Sequence, residues 1–149
     1  MSLDTSAVHL LHRAGQCAGD IFADEMSRVK LTPRQYAVLV GVSENEGVSQ
    51  TGLVERTGID RSTLADIIRR MLRKGLLQRK RTKEDQRAYS VRLTEEGRKL
   101  LLSAEPGANR ADERLLGALS SEQRAAFLAS LNMLVQSIVH ATTPVLQDD

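Results

Sequence analysis

The stretch from Ser49 to Gly97 constrains this chain more than any other. Ser49 can cap a helix that Gly58 ends, because glycine accepts the positive-φ turn conformation without steric cost. Asp60 stands where the next cap belongs. Between Asp60 and Gly75, the residues Leu64, Ile67, Ile68, Met71 and Leu72 recur at helical spacing and predict a buried stripe. The opposite face carries Arg61, Ser62, Ala65, Asp66, Arg69 and Arg73, with Thr63 at the boundary. After Gly75 the period changes. Leu77, Arg79 and Arg81, then Tyr89, Val91 and Leu93, alternate and predict a two-stranded hairpin around a charged tip at 83–86. Thr94 caps the helix that follows, with Glu95 and Glu96 in its first turn.

Two helices joined by a tight turn, the second opening with short polar residues, match the way side chains are placed in a DNA major groove. A basic hairpin directly after them can act as a wing along the backbone and into the minor groove. Charge agrees with that reading. Residues 47–93 hold 12 Lys and Arg against 5 Asp and Glu, a net of +7, while the whole chain is only +2. The flanking segments are acidic, so an anionic partner is expected for the centre alone. The competing explanation of such a run is a solvated face.

The rest of the chain is helical in pattern. Residues 5–28 place Leu10, Ala14, Cys17, Ala18, Ile21 and Phe22 on one stripe. Thr32-Pro33-Arg34-Gln35 is a sharp helix start: Thr32 caps, Pro33 fits the first position and Gln35 completes a capping box. That helix carries Tyr36, Val38, Leu39 and Val42. Pro106-Gly107 predicts a kink or break in the helix opened at Thr94, with a further helix after Ala108. A second capping box at Ser120-Ser121-Glu122-Gln123 opens the last helix, whose stripe is Phe127, Leu131, Leu134, Val135 and Ile138. The small central module cannot cover all the terminal stripes. They are expected to form a homodimer interface, which would set two reading helices against a palindrome with half-sites about 34 Å apart. The alternative is a monomer that folds its own ends into a bundle.

Taken together, Leu31-Thr32-Pro33-x-Gln35, the run Arg69-Arg70-Met71-Leu72-Arg73-Lys74-Gly75-Leu76-Leu77-x-Arg79, and Asp85-Gln86-Arg87-Ala88 followed by Leu93-Thr94-x-x-Gly97 resemble the multiple-antibiotic-resistance regulator (MarR) family. The resemblance covers nearly the whole chain. It implies a mainly α fold: a winged helix-turn-helix with a two-stranded β wing, and N- and C-terminal helices forming a dimerisation region. The expected division is a single domain over 1–149, with a DNA-binding lobe at 31–97 and dimerisation helices at 1–30 and 98–149. The implied activity is that of a homodimeric, sequence-specific repressor of a palindromic operator in double-stranded DNA, released by a small-molecule effector in the cell's cytoplasm.

Position along the helix sets the expected roles. Ser62, Thr63 and Asp66 lie where base edges are met, Arg69 and Arg73 further along hold phosphate, and Arg61 suits either. Asp66 has a structural alternative, an intrahelical pair with Arg69 or Arg70. Asp85 and Arg87, two apart on a strand, share one side, so Asp85 can orient Arg87 toward the minor groove. The alternative there is a surface ion pair. Arg79, Lys80, Arg81 and Lys83 are candidates for phosphate.

Three switches are compatible with the sequence. His9, His12, Arg13, Gln16 and Cys17 lie on overlapping faces of the first helix, where Arg13 could neutralise an organic acid. The run from His9 to Gln16 resembles regulators of aromatic-acid catabolism, including those answering hydroxycinnamoyl-CoA thioesters. These side chains could equally face solvent or the dimer seam. Alternatively, Cys17 senses peroxide, as its position resembles the organic-hydroperoxide branch of the family. A reactive thiol needs hydrogen-bond donors nearby, whereas the only tyrosines are Tyr36 and Tyr89 and the apolar stripe predicts a buried, inert Cys17. Thirdly, His9 and His12 could share a metal, although no Cys or carboxylate cluster completes a site.

Other classes find less support. Cys17 is the only cysteine, so no internal disulfide forms, which fits a reducing compartment. No signal peptide and no apolar run long enough for a bilayer are apparent, so no membrane partner is expected. Four aromatic residues and no Trp are too few for a binder built on stacked single-stranded bases. No nucleophile–base pair, phosphate loop or catalytic carboxylate pair is visible, and His140 has no evident partner, so neither an enzyme nor a cofactor is expected. A low-specificity DNA-binding protein remains the nearest non-enzyme alternative.

Overall fold

The computed structural model describes residues 2–82 and 89–142, with side chains described as far as Ile138. Lys83, Asp85, Arg87 and the side chain of His140 therefore lie outside the described residues. The chain forms two compact units, Met1–Asp112 and Glu113–Asp149. In order, the elements are α1 (Ala7–Glu25), α2 (Pro33–Glu44), β1 (Val48–Ser49), α3 (Gln50–Thr57), α4 (Arg61–Arg73), β2 (Leu77–Arg81), β3 (Tyr89–Leu93), α5 (Glu95–Leu115) and α6 (Ser121–Thr142).

The expected caps form. At α2 the Thr32 hydroxyl accepts from Gln35 N at 3.2 Å while Gln35 Oε1 accepts from Thr32 N at 3.1 Å, both halves of a capping box. Ser49 Oγ accepts from Gly52 N at 2.9 Å to open α3. Gly58 (φ 71°) closes α3 and Gly75 (φ 73°) follows α4, both in the left-handed region that a side chain disfavours.

The sheet is antiparallel in the order β1-β3-β2. The hairpin has the expected alternation, with Leu77 opposite Leu93, Arg79 opposite Val91 and Arg81 opposite Tyr89. Strand β1 was not foreseen. It is only two residues long, too short for any period to show, and it pairs Val48 with Val91.

One core serves the first unit. α2 supplies Val38, Leu39 and Val42, α3 supplies Leu53, and α4 supplies Leu64, Ile67, Ile68 and Met71. The sheet adds Val48, Leu77, Val91 and Leu93, and α5 adds Leu101, Ala104 and Ala108. Each large side chain removed from water contributes about 1.5–3 kcal/mol. The start of α5 is locked to the end of α4: Thr94 Oγ1 donates to the Gly75 carbonyl at 2.6 Å and Thr94 N to the Leu76 carbonyl at 3.1 Å. A Cβ at Gly97 would overlap that Leu76 carbonyl oxygen, so the approach requires glycine.

In the second unit the capping box of α6 forms, with Ser120 N donating to Gln123 Oε1 at 2.9 Å and Gln123 N to Ser120 Oγ at 3.2 Å. Arg124 Nε bridges the preceding turn, donating to the carbonyls of Leu116 and Leu119 at 3.1 and 3.2 Å.

Two expectations are corrected. Pro106 does not break a helix: α5 runs unbroken from Glu95 to Leu115, and no separate helix begins after Ala108. The carbonyl that loses its partner to the proline ring belongs to Leu102, an exposed residue, so water can satisfy it. The second correction concerns Cys17, because the stripe of α1 is left largely uncovered in the single chain, as expected of a terminal stripe. No residue of α1 is fully covered, and Leu10, Ala14 and Cys17 are exposed, while Ala18, Ile21 and Phe22 are half-buried. The expectation of a buried thiol at Cys17 therefore fails in the single chain.

Candidate nucleic-acid interface

The interface candidate is built around the start of α4. Asp60 caps it in β conformation and gathers three donors. Thr63 N and Ser62 Oγ each donate to Oδ1 at 2.9 Å, and Thr63 Oγ1 donates to Oδ2 at 2.7 Å. The Thr63 hydroxyl, then its backbone N–H and the Ser62 hydroxyl, hold the Asp60 carboxyl down at about 2, with Arg34 adding a smaller pull. The turn before it is fixed by Thr57, whose hydroxyl donates to the Leu53 carbonyl at 2.7 Å and accepts from Ile59 N at 3.2 Å. Arg56 and Glu44 join α3 to α2 through two bonds of 2.8 and 3.0 Å.

With Leu64, Ile67, Ile68 and Met71 inward, α4 can turn only its other side outward. Arg61, Ser62, Arg69 and Arg73 are exposed there, and Thr63 and Asp66 are half-buried. Asp66 pairs with both alternatives considered from the sequence, Arg70 at 3.1 Å and Arg69 at 3.7 Å.

On the wing, Arg79, Lys80 and Arg81 are exposed. The Tyr89 ring lies under two guanidinium groups, that of Arg79 at 4.7 Å and that of Arg81 at 5.7 Å from the ring centroid. Sequence reasoning overlooked Tyr89. The signal was present, because strand alternation sets Tyr89 on the face shared by Arg79 and Arg81. It also overlooked Glu46, which fixes the root of the wing. Its Oε2 accepts from Leu93 N at 3.1 Å and its Oε1 lies 2.9 Å from Arg98 Nη2 on α5. Nothing in the residue pattern of a turn announces such a bridge over 47 positions.

The α1 candidates do not converge. His12 and Gln16 line a shallow hollow of about 570 Å³ with Val8, Leu11 and Gly15. His9, Arg13 and Cys17 do not line it. Among the described residues, no three His, Cys, Asp or Glu side chains gather into a metal-holding group.

Comparison with known proteins agrees with this geometry. The MarR family model matches residues 31–89, the span from the α2 start to the wing. The regulator HosA of Escherichia coli O111:H- is 33% identical over 141 residues, covering 95% of this chain and 100% of that protein. The chain belongs to the MarR family. Among solved MarR-type structures, Bordetella bronchiseptica BpsR, whose DNA binding is regulated by 6-hydroxynicotinic acid, superposes with a TM-score of 0.80 at 31% identity, over 85% of this chain and 96% of that one. The repressor CouR bound to a 23-mer DNA duplex gives 0.83 at 30% identity, over 89% and 94%. This MarR-family chain is a DNA-binding transcriptional regulator with the family's winged-helix fold. Members of the family act as DNA-binding dimers that answer small-molecule effectors. Among the described residues, no helix is long and apolar enough to cross a membrane.

Proposed function

We propose that the chain is a cytoplasmic homodimeric repressor, without enzymatic activity, that grips a palindromic operator and lets go when a small aromatic acid or its thioester binds. The observation that carries this is the two-sidedness of α4: one face is sealed in the core and the other presents polar and basic side chains to solvent. Arg61, Ser62, Thr63 and Asp66 then meet base edges, while Arg69, Arg73, Arg79, Lys80, Arg81 and Lys83 meet phosphate, with Arg87, steered by Asp85, in the minor groove. The Ser62 and Thr63 hydroxyls already spend their protons on Asp60. What they offer a base edge is a lone pair, which suits the amino groups of cytosine or adenine.

The effector reading draws on the α1 polar face and on the aromatic acid that regulates BpsR. His12 and Gln16 stand beside apolar Val8 and Leu11, and Arg13 on the same helix supplies a cation for a carboxylate. The exposure of Cys17 keeps a second reading in play, release by peroxide.

The test is fluorescence anisotropy with a labelled duplex from the region upstream of the chain's own gene, in rising salt and against random competitor DNA. A repressor gives a steep salt slope and a large specificity ratio. Affinity that random DNA competes away equally identifies a low-specificity binder instead. Addition of 6-hydroxynicotinic acid or related acids should release the duplex from wild type and from Cys17→Ser alike. Release by peroxide alone, abolished in Cys17→Ser, selects the thiol switch.

A further inference from the structure

The wing holds a cluster that the helix-turn-helix alone does not need. Arg81 stands directly across from Tyr89 in the ladder, and Arg79 is one same-face step away, opposite Val91. Nearer the body of the lobe this sheet face is sealed, with Leu77, Val91 and Leu93 all in the core. Toward the tip it emerges into solvent, and there the two arginines close over the Tyr89 ring at 4.7 and 5.7 Å. Both separations lie within the roughly 6 Å over which an aromatic face attracts a cation. Among the described residues, neither guanidinium has a carboxylate partner.

We propose that Tyr89 is a positioning residue for DNA binding: its ring holds Arg79 and Arg81 together, so that both guanidinium groups meet the phosphate backbone already aligned. This role rests on the DNA reading above. An exposed arginine otherwise samples many rotamers, and fixing it at the moment of binding costs entropy. A ring beneath the guanidinium plane restricts that sampling without using the N–H donors, which lie in the plane and stay free for phosphate oxygens. A carboxylate in the same place would occupy the donors and repel the backbone. Lysine is a poorer substitute for either arginine, because an ammonium group, though attracted to the ring, has no plane to lay on it and no fixed fork of donors to present to phosphate.

The experiment compares wild type, Tyr89→Phe, Tyr89→Leu and the double variant Arg79→Lys/Arg81→Lys by duplex anisotropy across a salt series, with thermal unfolding of each. Tyr89→Leu is expected to weaken binding on the order of tenfold, since both wings of a dimer lose their ordering. Its salt slope should become shallower by about one to two, at roughly 0.9 for each phosphate that is no longer neutralised. Tyr89→Phe keeps the π face and should bind as wild type does. The double lysine variant keeps every charge and should still lose affinity. Nuclear magnetic resonance on the free protein should show ring-current shifts on the Arg79 and Arg81 side-chain protons, absent in Tyr89→Leu. Wild-type affinity and slope in Tyr89→Leu or in the double lysine variant overturn the proposal, as does a Tyr89→Phe defect equal to that of Tyr89→Leu. Absence of ring-current shifts overturns it whatever happens with DNA. If wild type itself shows no salt-sensitive binding, the DNA reading fails first and the positioning role falls with it.

Discussion

The lobe at 31–97 and the helices α1 and α6 are both rich in apolar residues, yet only the lobe buries them. In the lobe, Leu39, Leu53, Leu64 and Ile68 are at most 1% exposed. On α6, Phe127, Leu128, Leu134, Val135 and Ile138 remain 38–55% exposed, and on α1 Val8 is 75% exposed. Burying side chains of this size yields about 1.5–3 kcal/mol each. The lobe draws that stabilisation from its own chain. The terminal helices leave most of it unrealised, and an apolar stripe left exposed along a helix is the kind of surface that serves as an interface. One chain thus completes the core of this lobe by itself; α1 and α6 do not, and the proposal that they pair two copies rests on that difference.

The sharpest way to break this contrast is to open the lobe. Leu64 is 1% exposed at the centre of the buried face of α4, so Leu64→Ala should destabilise by about 2–5 kcal/mol, counting the forfeited transfer energy and the residual cavity. Urea unfolding measures it, and a loss under about 1 kcal/mol would mean the lobe is less close-packed than it looks. Gly97→Ala comes next. The added methyl must displace the Leu76 carbonyl where α5 meets the end of α4, and overpacking of this kind costs about 1–3 kcal/mol. If Gly97→Ala unfolds at the wild-type urea midpoint, that junction is not tight.

The same contrast explains what could be read from the residues alone. Caps were legible because Thr32, Ser49, Asp60 and Ser120 each carry the oxygen that their helix start needs. The face of α4 and the alternation of the hairpin strands were legible because periods of 3.6 and 2 are local properties. Strand β1 was not, since two residues show no period, and its pairing with β3 is set by tertiary structure. Pro106 misled because the rule for proline concerns a missing bond, and whether that matters depends on which carbonyl is freed and whether water reaches it. Cys17 misled for a related reason: a stripe says which residues share a face, but not what covers that face. At the candidate site, which face of α4 is turned to solvent followed from position. The Tyr89 cluster and the Glu46 bridge required strands and helices to meet in space.

Changes on α6 should move the lobe very little. Leu134→Ser with Ile138→Ser leaves that core untouched, so its stability at high dilution should stay within about 0.5 kcal/mol. Sedimentation should instead show the dimer dissociating, and operator affinity should become steeply dependent on protein concentration. A dimer that survives both serines would move the pairing surface away from α6.

The smallest effect at neutral pH, and the most specific to the reading head, belongs to Asp60. Its folded carboxyl titrates at about 2 against an ordinary 3.8, because the Thr63 and Ser62 donors favour the charged form. Below about 3.8 the unfolded chain takes up this proton first, so it binds more protons than the folded chain and stability falls with pH. The contribution is complete above 3.8 and gone once pH has passed through about 2. Asp60→Asn keeps an oxygen for Thr63 N, and the Thr63 hydroxyl can turn to accept from the new amide, so the cap persists while the titration is removed. Stability measured by urea unfolding should therefore differ by a constant between wild type and Asp60→Asn above pH 5, and the wild-type advantage should shrink only between about pH 4 and 2. Curves that stay parallel down to pH 2 would mean the three donors do not hold the carboxylate in solution, and the lone-pair presentation of Ser62 and Thr63 would go with them.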